Sequence, residues 1–238
     1  MNAFSGSIAD EREREPVLVY HEVLMAAGSR PGRCDRLAGQ PIRSTLVPVR
    51  AVVGTVGRPM QFNQRFQPLT ESSRLRLDRL ANHVAHGGSV PPVRLLRIGE
   101  LYFVLDGHHR IALTRASDKH AIAASVQPVC TVASVEFGLQ REQLPLKAAE
   151  RDFLRAVPLP DAATTQIRLP RPADYRALAD RARQWCRFHG LDHGAEDAPL
   201  PPAAAAAWWH LAVRPDARSQ PATPAALSAA TYLAQPHD

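Results

Sequence analysis

From Leu46 to Val135 the apolar positions fall in short valine- and leucine-rich runs, whereas before and after that stretch they recur at helical spacing. Leu46 to Val53 reads as a strand, and Pro48, which has no backbone donor, confines it to a sheet edge or a strand start. A loop containing Gly54 and Gly57 follows, and Gln61 to Pro68, with Phe62, Arg65 and Phe66 in a polar setting, suits a covering loop or a single helical turn. Thr70-Glu71-Ser72-Ser73 is a helix start; Leu77, Leu80, Ala81 and Val84 share one face, and Gly87-Gly88 is the stop. Val93 to Ile98 and Leu101 to Leu105 read as two strands joined by Gly99-Glu100, a Gly-X link suited to a tight hairpin. A helix from His108 to Ala116 and two further strands, Ala121 to Val126 and Val129 to Val135, complete the unit. The expected class is α+β, a compact mixed sheet with helices packed on it.

The flanks read differently. Residues 1–15 are polar, and Pro16 to Ala27 suits a short helix ended by Gly28. From Gly138 the pattern is helical: Leu146, Ala149, Phe153, Leu154 and Val157 make one face, and Tyr175, Leu178, Ala179, Ala182 and Trp185 make a second that begins at Pro172. Pro199 to Ala207 with Trp208-Trp209 suggests a third helix, and Pro224 to Ala234 a final weak segment. The division is therefore an N-terminal arm over 1–41, a mixed unit over 42–137 and a Pro/Ala-rich helical region over 138–238. The three tryptophans are read as packing anchors, since large aromatics usually serve cores.

Composition narrows the classes. With 238 residues and 45% hydrophobic content the chain can bury a full core and a small second unit. It holds no run long and apolar enough to span a membrane and no signal-peptide pattern at its start, so a cytoplasmic location is expected. Cys34, Cys130 and Cys186 lie far apart without Cys-x-x-Cys spacing and are read as free thiols. Charge is uneven: residues 46–126 hold 11 Lys+Arg against 5 Asp+Glu, and the rest of the chain holds 18 of each. A basic α/β unit points to a polyanionic ligand, a nucleotide or a nucleic-acid backbone, although Arg74, Arg76 and Arg79 suit the solvated face of a helix. His83 and His86 have metal-compatible spacing but no third ligand nearby, and the dipole at the helix end accounts for them. His189 to His193, interrupted by Gly190, reads as a turn.

The candidate chemistry lies in Asp106-Gly107-His108-His109-Arg110. Read as strand, turn and helix, this stretch puts unpaired backbone N–H groups and the positive dipole end beside three side-chain donors, with Gly107 allowing close approach to the backbone. That outlines an anion site with Asp106 as a carboxylate at its mouth. The competing reading has Asp106 capping the helix and the histidines solvated.

From Ile42 to about Val135 the chain resembles the ParB/sulfiredoxin superfamily, in particular ParB-like proteins with Asp-Gly-His-His-Arg where partition ParB has Gly-Glu-Arg-Arg and sulfiredoxin Gly-Cys-His-Arg. Strand, helix, Pro91-Pro92 and hairpin stand in the matching order. The resemblance implies that the loop after the first strand faces a nucleotide site, which brings Arg58 near Asp106 to Arg110. It further implies a nucleoside triphosphate with its phosphates over Gly107, His108, His109 and Arg110, and a slow NTPase or phosphotransferase chemistry using Asp106, His108 and His109. Asp106 would hold magnesium or orient an attacking hydroxyl. Departures matter: His108 stands where sulfiredoxins have their reactive cysteine, the loop after the first strand lacks the glutamate of serine kinases, and Gly-Glu-Arg-Arg is absent. No P-loop is present. The alternative is a DNA-binding module or nuclease in which Arg58, Arg65, Arg74 and Arg94 track phosphates, and a third reading is a scaffold that has kept only the fold.

Overall fold

The structure is a computed structural model, and it describes residues 16–30, 44–117, 119–195, 197–213 and 232. The chain divides into two compact units: one comprises residues 1–25, 29–131 and 135–141, the other 26–28, 132–134 and 142–238.

The first unit is built on a six-stranded mixed sheet. Its strands are β1 (Leu18–Val19), β2 (Ser44–Pro48), β3 (Val52–Thr55), β4 (Val93–Ile98), β5 (Leu101–Asp106) and β6 (Ala121–Val129), in the order β1-β3-β5-β4-β6-β2. β3 runs parallel to β1 and β5, β4 is antiparallel to β5 and parallel to β6, and β2 closes one edge antiparallel to β6. At β1, Leu18 pairs with Gly54, where a Cβ would lie 2.3 Å from the Leu18 carbonyl oxygen. The helices are α1 (Tyr20–Ala27), α2 (Glu71–Ala85) and α3 (His108–Arg115). Val17, Val47, Val52, Phe62, Phe66, Val93, Leu95, Val104 and Ile111 are among the buried residues of its core.

Three elements depart from their expected bounds. The strand expected over Leu46 to Val53 is two strands, β2 and β3, which lie far apart in the sheet order; Val49–Ala51 makes a 3-10 turn between them. Pro48 sets the break, because β2 ends there on the sheet edge and the next amide, Val49 N–H, donates to His120 O. Of the two strands expected over Ala121 to Val126 and Val129 to Val135, the first is present and runs on to Val129 as one nine-residue strand, while residues 130–135 lie outside any strand. Pro128 is accommodated because, among the described residues, β2 pairs with Ala121 to Ser125 and the proline has only β4 beside it. The helix expected from Pro16 starts at Tyr20, after the short β1.

The hairpin and its neighbour helix follow the sequence pattern closely. Thr70 caps α2 by accepting from Ser73 N–H at 3.2 Å, and the helix ends at His86 before Gly87 in the left-handed region. His83 and His86 spend their ring nitrogens on Ser89 O and Asn82 O. Among the described residues no group of three or more His, Cys, Asp or Glu is placed to hold a metal ion.

The second unit is helical, with α4 (Leu144–Ala156), α5 (Asp161–Thr164), α6 (Pro172–Phe188) and α7 (Pro202–Trp208), the last running into a π turn at Trp209–Val213. A proline sits in the first turn of α4, α6 and α7, where its missing donor costs nothing. Trp208 and Trp209 are buried with Tyr175, Leu178 and Phe153, as packing anchors; Trp185 is half-buried and stacks on His189 at 3.9 Å. The short α5 has no counterpart in the expected pattern. Pro224 to Ala234 lies outside the described residues except Tyr232, which joins this core.

The cysteines correct another expectation. Cys130 is disulfide-bonded, not free; Cys186 is free, fully buried and donates to Ala204 O, and burial pushes its thiol up to about 11. Cys34 lies outside the described residues. No helix among them is long and apolar enough to cross a membrane.

Candidate anion-binding cleft

β5 is buried through Leu101, Phe103 and Val104, and its last residue, Asp106, emerges exposed at the sheet rim. The chain then reverses at Gly107, whose φ of 101° lies in the left-handed region. A Cβ there would also lie 2.6 Å from Val93 Cγ1, so glycine is required on both counts. Gly107, not Asp106, is the N-cap of α3, and no side chain caps it. The Asp106 carboxylate instead accepts from Arg110 Nη2 at 2.7 Å.

Arg110 is engaged with protein through both terminal nitrogens. Its Nη1 donates to Pro91 O at 2.5 Å and to Pro92 O at 2.9 Å, so the guanidinium ties the start of α3 to the segment leading into β4. Proline carbonyls suit this role because those residues offer acceptors and no competing donors.

His108 is buried. Its Nε2 lies 2.6 Å from Thr55 Oγ1, and its ring stacks on Phe62 at 5.6 Å with 19° between planes. Burial first, then the neighbouring Arg58 and His109, lower its pKa to about 4, with Asp106 opposing. His109 meets Phe62 edge-on at 5.3 Å, and among the described residues its buried Nε2 has no hydrogen-bond partner. Its pKa is lowered by burial, Arg58 and Arg76, against a weaker pull from the Ser73 backbone. His108 is neutral at pH 7, and both rings sense a positive field.

Phe62 reaches these rings from the Gln61 to Pro68 segment, which is a covering loop and not a helical turn. A bridge joins Phe62 to Pro68, and Asn63 Oδ1 accepts from the Arg65 and Gln67 amides. The loop is held from below by Arg115, which donates to Gln64 O, Val49 O and Val52 O and lies over the Phe66 ring.

These elements enclose a cleft of about 450 Å³. Arg58, Arg76 and the Asp106 to Arg110 turn line it, with Leu80, Val90 and Pro91 as the apolar wall. Arg58 thus meets the turn as expected. Arg76 corrects the reading of a purely solvated helix face: it is exposed, yet it stands in the cleft one turn from Leu80. Arg65, Arg74 and Arg94 are exposed and outside the cleft lining; Arg94 pairs in register with Asp106 across the hairpin. Thr55, fully buried at the end of β3, is the other site residue that the pattern did not mark. Its only sequence signal is a polar residue closing a valine-rich strand.

In charge the cleft is one-sided. Its single carboxylate, Asp106, is offset by Arg110, which leaves Arg58 and Arg76 to set the sign. The N-terminus of α3 adds its dipole in the same sense. Arginines in such an arrangement bind planar or tetrahedral oxyanions through paired N–H groups.

Residues 58–142 match the family model described as the ParB N-terminal domain. That span is about a third of the chain, and it contains every residue lining the cleft. No curated protein matches the chain. The first unit therefore carries a ParB-like module.

Proposed function

We propose that this ParB-like module binds a nucleoside triphosphate, with its phosphates over the N-terminus of α3 and between Arg58 and Arg76. The observation that supports this most is the charge balance of the cleft: two arginines face it, and its one carboxylate is already paired. A volume of about 450 Å³ suits a nucleotide-sized ligand. The chemistry that follows binding is slow hydrolysis or phosphoryl transfer. Asp106 is the candidate to orient an attacking hydroxyl, and the histidines are the candidates to donate to phosphate oxygens. Arg110, with donors committed to Pro91, Pro92 and Asp106, shapes the turn more than it grips ligand.

Magnesium sites commonly use one or two carboxylates together with the substrate's own phosphate oxygens. Asp106, exposed at the mouth of the cleft and holding Arg110 through Oδ2, fits that pattern and would be the residue to hold the ion. The metal would offset phosphate charge; the protein's share is the orientation of the phosphates by Arg58 and Arg76. A cytoplasmic location goes with this reading, because nucleoside triphosphates are held there, and the Cys130 disulfide stands against it, as such bonds are rare in cytosolic proteins.

Calorimetric titration with ATP, CTP, GTP and UTP in the presence of magnesium tests the proposal. One nucleotide should bind, and Arg58→Ala or Arg76→Ala should weaken it by about tenfold or more, as expected for a lost charged hydrogen bond. Arg74→Ala, outside the cleft, should leave it unchanged. Absence of binding by all four would sink the nucleotide reading.

The second reading, a DNA-backbone contact, is favoured by one feature: Arg65, Arg74 and Arg94 are exposed outside the cleft. DNA binding through them should weaken steeply with salt, roughly in proportion to the phosphates contacted, whereas a nucleotide held in the cleft should respond far less.

A further inference from the structure

Thr55 closes β3 beneath the cleft, and its hydroxyl oxygen has three polar neighbours. Gly57 N lies at 3.3 Å, Arg58 N at 3.0 Å and His108 Nε2 at 2.6 Å. The first two are N–H groups and can only donate. With the amides donating to the oxygen, His108 Nε2 is the neighbour in this set able to accept the hydroxyl hydrogen, in the tautomer that leaves it a lone pair. A neutral imidazole that accepts at Nε2 keeps its proton on Nδ1. Phe62, stacked on the ring and itself fully buried, holds the imidazole plane in place. Among the described residues no protein group accepts from Nδ1, and His108 lines the cleft.

The same oxygen governs Arg58. By accepting from both the Gly57 and Arg58 amides it fixes the first turn of the loop after β3, where the Arg58 side chain begins. One buried hydroxyl thus connects two cleft-lining residues that are 50 positions apart in the chain. A valine would match threonine in shape and would leave two amides and a ring nitrogen without their partner.

We propose that Thr55 is the positioning residue of the cleft: its hydroxyl holds His108 as an Nδ1–H donor and anchors the Arg58 loop, so that both present donors to a bound polyphosphate. This rests on the phosphate reading of the cleft given above. It adds which histidine donates, through which nitrogen, and what keeps that nitrogen protonated.

The test has two arms that fail separately. In the first, ¹⁵N-labelled protein at pH 7 is examined by long-range ¹H–¹⁵N correlation, which distinguishes the two tautomers without any ligand. His108 should show a protonated Nδ1 and a bare Nε2. A protonated Nε2 overturns the proposal, whatever the cleft binds. In the second, inorganic tripolyphosphate is titrated into the wild-type protein, Thr55→Val and Thr55→Ser, each first checked for a cooperative thermal transition. Thr55→Val should lose the Nδ1–H signature and bind about tenfold more weakly or worse. Thr55→Ser, which keeps the hydroxyl, should restore both. A folded Thr55→Val protein with unchanged affinity overturns the positioning role. Should Thr55→Val not fold, Thr55→Ser and Thr55→Ala carry the comparison, and equal affinity in those two is the overturning result. If the wild type binds no tripolyphosphate, the phosphate reading itself falls, and with it the ligand half of this proposal, while the tautomer result still decides the hydrogen-bond half.

Discussion

At the scale of single residues, the cleft is defined by what each group has already spent. Arg110 looked like the phosphate-binding residue in the motif, yet its donors go to two proline carbonyls and Asp106. Arg58 and Arg76, outside the motif, line the cleft and lower the histidine pKa values, so they carry its field. His108 also makes stability depend on pH. Unfolded, it binds a proton with a pKa near 6.5; folded, only near 4. Between those values the unfolded state binds more protons, so stability rises with pH. It is intact above about pH 6.5, falls as the solution is acidified, and has lost about 3 kcal/mol from this group once pH is below about 4. His109 pulls in the same direction. Urea denaturation at a series of pH values should show this slope, and His108→Gln should flatten it; an equal slope in the variant would contradict the assignment.

Among elements, the informative joint is the one between β5 and α3. A strand that ends exposed, a glycine at positive φ and an uncapped helix start would fray if nothing else held them. The Arg110 fork supplies the hold by clamping the first turn of α3 to the approach of β4. The exposed Asp106 partner adds little stability of its own, as surface ion pairs do; the two carbonyl contacts do more. Arg110→Ala is therefore expected to loosen the turn before it affects the sheet. Hydrogen exchange should show amides of Ile111 and Ala112 exchanging roughly tenfold faster or more, with β4 and β5 amides less changed. Uniform acceleration across the unit would mean that Arg110 supports the whole fold and not this joint.

Across the whole molecule, each of the two described cores holds buried polar groups, and in each one network stands out. In the first it is the Thr55 and His108 pair. In the second it is Glu150, 2% exposed, which accepts from Ser134 N–H, from the Ser134 hydroxyl and from Lys147 Nζ at 2.8 Å. Arg168 stands 3.8 Å away. Removing the carboxylate strands a nearly buried ammonium, so Glu150→Ala should cost about 3–5 kcal/mol. All three tryptophans lie in this unit, so their fluorescence reads its unfolding specifically. The tryptophan-monitored urea midpoint should drop sharply in Glu150→Ala, and an unchanged midpoint would show that the network carries no net stability.

Local periodicity and turn chemistry were enough to derive the hairpin of β4 and β5, the bounds of α2 with its Thr70 cap, the α3 start at His108 and the apolar faces of α4 and α6. Each depends on neighbours within a few positions, and that information is linear. The resemblance carried by Asp106 to Arg110 likewise led to a ParB-like unit. Tertiary structure alone decided the rest. It separated β2 from β3 across the sheet, because strand order depends on pairing partners remote in sequence. It carried the strand begun at Ala121 through Pro128 to Val129 and left residues 130–135 outside any strand. It brought Arg76 to the motif from 30 residues away and Thr55 to His108 from 53, and it gave Arg110's donors to Pro91, Pro92 and Asp106. A side chain's chemistry belongs to its sequence position, but which partners remain to be satisfied is known only when the chain has folded around it.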